Sequence, residues 1–275
     1  MTQANQVKTE GASRFALSRA VPDAHPYSAH LEYVLRLADS ALILGQRLSE
    51  WCGHAPVLEE ELALANIALD LIGQSRLLLT HAGGVEGARR DEDQLAFLRA
   101  EREYRNVTLV ELPNGDFGQT VLRNFLFAAF QRSLWEALLA SRDAELAAIA
   151  EKSLKETRYH LRHSAEWVVR LGDGSAESHA RMQSALDYLW PYTTELFTED
   201  AVDQQVAAAA LGIAWSSLEP AWRACVLPVL TQAKLAPPGR SAFASHGKLG
   251  RHSEHLGHLL AEMQHLQRAF PGARW

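Results

Sequence analysis

Apolar residues recur at three- and four-residue steps along most of the chain. No stretch alternates β-branched and polar residues with the period of two that a strand requires. Leu31, Val34, Ala38, Ala41 and Leu48 form one row, with Leu35, Leu42 and Ile43 in a second row beside it, so the spacing predicts a long helix buried around most of its circumference. It closes at WCGHAP, where Gly53 suits a left-handed cap and Pro56 the first turn of a new helix. A second helix is expected over residues 56–80, with Glu59, Glu60 and Glu61 placed to complement its dipole, before HAGGVEGARR breaks it. DEDQLAFLRAEREYRN reads as a charged, exposed, ion-paired helix, followed by a turn at Pro113, Asn114 and Gly115. Two more long helices are expected over residues 116–139 and 142–171, the latter closed by GDGS. Beyond them come a helix over 177–197, alanine-rich pieces broken at Pro220 and Pro228, a loop at PPGRSAFASHGKLG and a last helix over 252–270. The class is all-α. Helices of about 22 to 30 residues are about 33 to 45 Å long, which suits an antiparallel bundle.

With 275 residues, 47% of them hydrophobic, the chain has enough apolar mass for one large domain or two small ones. Residues 1–27 are polar, contain Pro22 and Pro26 and lack an apolar period, so they read as a flexible arm ahead of a helical domain over 28–275. Cys52 and Cys225 provide no disulfide framework or metal cluster, and a reducing cytoplasm is the expected compartment. No signal-peptide core and no run of about 18 uninterrupted apolar residues is present, so no membrane association is expected. A net charge of −6 without a long basic run argues against a nucleic-acid partner.

The informative positions are polar residues on apolar faces, because burying a polar group without a partner costs about 1–3 kcal/mol. Asp39 lies among Leu35, Leu42 and Ile43; Asn66, Asp70 and Gln74 follow at four-residue intervals; Asn124 and Gln131 sit among phenylalanines; Glu156, His160 and His163 share a stripe. Four helices with inward polar groups point to a ferritin-like bundle. Its di-iron form takes a Glu from each of two helices and a Glu-x-x-His pair from each of the others. Here Asp70 is followed by Gly73 and Glu156 by Tyr159 where His is required, and the third helix offers amides. Asp39, Asp70 and Glu156 with His160 supply too few ligands, and no stable centre is expected.

Competing readings apply at each position. Asp39 reads as ion-paired, with Arg36 as one candidate partner. Asn66, Asp70 and Gln74, with Asn124, Gln131 and His163, read as a buried hydrogen-bond network, and His160 as a structural histidine. The Glu262–His265 pair, near His252, His255 and His258, reads as a solvated histidine-rich face with incidental affinity for nickel or zinc. No GxSxG, Walker, HExxH or GxGxxG pattern occurs.

Four longer phrases, LRLADSALILGQRLSEWCGHAPVLEEELALANIALDLIGQSRLLL, RDEDQLAFLRAEREYRN, LVELPNGDFGQT and ETRYHLRHSAEWVVRLGDGSAESHARMQ, resemble the C-subunit family of the multicomponent phenylacetyl-CoA 1,2-epoxidase, also called ring 1,2-phenylacetyl-CoA oxygenase. The resemblance runs from about residue 31 to residue 270. It implies a ferritin-like structural subunit of phenylacetate degradation. A homologous catalytic A subunit would carry the di-iron site and bind most of the phenylacetyl-CoA. A small B subunit and a reductase using flavin, iron–sulfur groups and NADPH would complete the system. In that reading Asp39, Asp70, Glu156 and His160 are remnants of a lost metal site, no residue here is catalytic, and this chain holds no cofactor. The alternatives are a self-sufficient di-iron monooxygenase and a ferritin-like metal-binding protein.

Overall fold

A computed structural model describes residues 27–88, 90–239 and 242–273. The expected arm lies outside the described residues apart from Tyr27. Ser28 begins the helical part: its Oγ accepts the Leu31 amide at 3.2 Å and caps α1 (Ala29–Ser49). After a short turn, α2 (Leu58–Glu86) runs to Gly87, whose φ of 70° ends it in the left-handed region. Asp116 and Asp143 cap α5 (Phe117–Leu138) and α6 (Ala144–Gly172) by accepting the amides of Gln119 and Leu146. These four long helices pack as two hairpins, α1 on α2 and α5 on α6, and α2 faces α6 across the seam between them.

The two hairpins are joined by one long crossover holding α3 (Glu92–Phe97), a 3-10 turn at Glu101–Glu103 and α4 (Thr108–Glu111). Paired hairpins with a single long connection are the ferritin-like arrangement. Additional helices follow: α7 (Ala176–Leu189), α8 (Ala201–Ala208), α9 (Glu219–Gln232), α10 (Glu254–Met263) and α11 (His265–Ala269), with α7 and α9 against α5 and α8 against α1. No strand occurs among the described residues. Trp135, Trp215, Trp222, Phe125 and Phe130 fill the core, and the Trp222 indole donates to the Leu126 carbonyl at 2.9 Å. By length and composition α2 would be able to cross a membrane, yet half of its most apolar window is buried in the bundle.

Four segments differ from the sequence expectation. The second helix continues through His81–Glu86, because Gly83 has no Cβ: one there would lie 2.2 Å from the Arg90 carbonyl oxygen, where the returning chain crosses the helix. The charge-dense stretch is not an exposed helix; α3 stops after six residues and the chain turns Arg99 and Arg105 into the interior. Pro228 does not interrupt α9; it lies on the exposed side of the helix, as does Ala224, the residue whose carbonyl its missing N–H would have met. The last helix is split at Gln264, whose amide is buried and donates to the carbonyls of Ala96 and Arg99.

Candidate functional site

Residues four apart on a helix are about 40° out of phase, so a row at that spacing winds around the axis. Asn66, Asp70 and Gln74 therefore do not share one face. Asn66 is exposed, Asp70 half-buried and Gln74 buried, so Asn66 is not part of the interior network expected of it. The other two meet α6. His160 Nε2 lies 3.0 Å from Asp70 Oδ2, and Gln74 Nε2 donates to Glu156 Oε2 at 3.0 Å. Toward the start of α2, His163 Nε2 is 2.9 Å from Glu60 Oε2, while its ring stacks on Tyr159. The α2–α6 seam is thus closed by side-chain pairs, and Lys152 Nζ adds a positive charge 3.9 Å from Glu156.

Asp39 is not among them. Its carboxylate is wholly buried, forms a two-point ion pair with Arg99, and accepts the Arg105 amide at 2.8 Å. Arg36, one candidate partner from sequence, instead forks onto Asp200 at 2.7 and 3.1 Å. Arg105 reaches Glu32, also on α1. Arg99 and Arg105 escaped sequence reasoning because their charged surroundings read as a solvated helix; the signal was the pair of carboxylates, Glu32 and Asp39, on the apolar α1. On α5, Asn124 and Gln131 are buried as expected, but both polar atoms of the Asn124 side chain lack a protein partner. The network does not extend to Asn124, because the phenylalanines beside it offer no polar atom. Nor does the histidine-rich end behave as one solvated face: the His252 side chain is buried, with Nδ1 2.8 Å from Glu111 and Nε2 3.0 Å from the Tyr104 carbonyl, whereas Glu262 and His265 are exposed.

These residues do not fit a di-iron centre. Asp39 is committed to Arg99, α5 presents amides, and Gln74 directs an N–H at the Glu156 carboxylate, where a metal ligand needs a free lone pair. Asp70, Glu156 and His160, with the Glu60–His163 pair, leave three carboxylates and two imidazoles along the seam, one carboxylate short of the ferritin-like di-iron set and already held in pairs.

Fold and seam together define a ferritin-like, all-α bundle protein whose inner helices are joined by ion pairs and hydrogen bonds. Residues 18–275 match the family described as phenylacetic acid catabolic protein, and the chain belongs to that family. It is 48% identical over 243 residues to the C subunit of the 1,2-phenylacetyl-CoA epoxidase of Escherichia coli (strain K12), a match covering 88% of this chain and 98% of the relative.

Proposed function

We propose that this protein is a non-catalytic structural subunit of a multicomponent phenylacetyl-CoA 1,2-epoxidase, a cytoplasmic assembly for aerobic phenylacetate catabolism. The chemistry belongs to a homologous catalytic subunit, which holds the di-iron site and most of the bound substrate. A small B subunit and a reductase with flavin, iron–sulfur groups and NADPH supply the rest. The observation that carries the reading is Gln74: its amide N–H occupies the approach to Glu156, beside the Asp70–His160 pair, so these side chains hold each other. Asp39, Asp70, Glu156 and His160 are then remnants of a metal site converted to structural pairing. The relative's designation as one subunit of an epoxidase supports membership of a complex. So does the outward face of α2, where Leu58, Leu62 and Leu69 are each more than half exposed and present apolar area for the catalytic subunit to cover.

Reconstitution with the catalytic, B and reductase subunits tests this. Asp70→Asn and Glu156→Gln are expected to leave turnover of the complex within about a few-fold of the parent, since neither group touches reacting atoms. Loss of several orders of magnitude with the complex intact overturns the proposal. So does a pair of bound irons in the isolated chain that disappears with these two substitutions.

A further inference from the structure

At the end of the bundle away from the turn between α1 and α2, three ligand-type side chains from three helices converge. His30 stands on the first turn of α1, His81 near the end of α2, and Asp143 at the start of α6. Both imidazoles point Nε2 at the same carboxylate oxygen, Asp143 Oδ2, at 2.8 Å for His30 and 2.6 Å for His81. All three candidate ligand atoms lie within 4.8 Å of one another, and this is the one such group found among the described residues. It is distinct from the seam already described: His81 is eleven residues beyond Asp70, about 16 Å along α2.

We propose that His30, His81 and Asp143 bind one divalent first-row transition-metal ion, with zinc as the best match. Two neutral imidazoles and a carboxylate form a donor set that zinc accepts with water completing a tetrahedron. Ligand atoms about 2.0 Å from a tetrahedral metal are about 3.3 Å apart, so the two imidazole contacts to Asp143, at 2.8 and 2.6 Å, need to open by about 0.5 and about 0.7 Å. The carboxylate is pre-aligned. Asp143 Oδ1 accepts the Leu146 amide at 3.1 Å, leaving Oδ2 for the metal, as an outer partner orients a ligand. Burial opposes its charged form, yet the Leu146 amide and His81 together hold its carboxyl below the usual aspartate range, so it is deprotonated at neutral pH. The side chains are 22% exposed for His30, 14% for His81 and 8% for Asp143, so solvent reaches the cluster. An ion there would clasp the start of α1, the end of α2 and the start of α6.

Zn2+ titration of the full chain after chelator treatment, followed by competition with a chromophoric chelator, tests the site. Co2+ substitution reports its geometry. The expected result is one Zn2+ per chain with a visible tetrahedral Co2+ band. Affinity should fall at least tenfold in His30→Ala and in His81→Ala, and Zn2+ should raise the unfolding midpoint of the parent but not of these variants. His258→Ala with His265→Ala is expected to leave this binding unchanged. His30 lies near the end of its helix, so His30→Ala carries the test if His81→Ala fails to fold. Zn2+ binding that survives both His30→Ala and His81→Ala, that is lost with His258 and His265, or that is absent at about 100 μM Zn2+ overturns the proposal.

Discussion

Asp39 and Asp70 lie on neighbouring helices and are both carboxylates on predominantly apolar elements, yet their surroundings differ. Asp39 is fully buried against Arg99, whereas the Asp70 side chain is 36% exposed beside His160. Removing one member of a buried pair leaves the other charge uncompensated, a loss of about 3–5 kcal/mol, while a partly solvated pair is worth about 1 kcal/mol or less. Asp39→Asn is therefore expected to lower the unfolding free energy by about 3–5 kcal/mol in urea denaturation, and Asp70→Asn by about 1 kcal/mol at most. Equal effects would contradict this division. That Asp39 needs a cation was legible from its apolar neighbours. That the cation is Arg99 was not, because the nearer Arg36 is drawn away by Asp200, a residue 164 positions along the chain.

Among the elements, α2 shows best how a pattern is readable at its centre and uncertain at its end. Its apolar period predicts a helix, but the two glycines near its C-terminal end look like a break until the crossing chain is seen. A Cβ on Gly83 would meet the Arg90 carbonyl oxygen at 2.2 Å, while one on Gly84 would meet nothing within 4 Å. Gly83→Ala is thus expected to destabilise by about 1–3 kcal/mol through overpacking against backbone. Gly84→Ala is expected to be neutral, or to stabilise by up to about 1 kcal/mol from helix propensity. Thermal unfolding of the two variants side by side checks both, and a reversed order would show that the crossing is not tightly packed. The misread α3 has the same origin: composition reports charge, but only position in the bundle decides which charges face inward.

For the whole molecule, buried ionic groups attach the C-terminal third to the bundle. Arg36 on α1 joins Asp200 and Asp203 at the start of α8, and Lys248 lies 3.4 Å from Asp203. Glu111 of the crossover accepts the Ser253 amide at 2.6 Å and pairs with His252. Both ring nitrogens of His252 face acceptors, an arrangement that only the protonated ring satisfies. Burial pushes its pKa down, but Glu111 and the Tyr104 carbonyl outweigh it and the net shift is upward. A folded pKa above the unfolded value contributes stability in full below about pH 6.5, and this is lost as pH rises through the folded value. The stability difference between the parent and His252→Gln is expected to shrink as pH rises above about 6.5. A gap that stays constant or grows as pH rises would show that the ring is neutral when folded. The all-α class and the four long helices were determined by the sequence alone, because helical period is a local property. Which face of α2 turns inward, which arginine neutralises Asp39, and the meeting of His30, His81 and Asp143 were decided by the tertiary structure. Each depends on helix rotation and on contacts between residues far apart in the chain, and a one-dimensional pattern does not encode these separately.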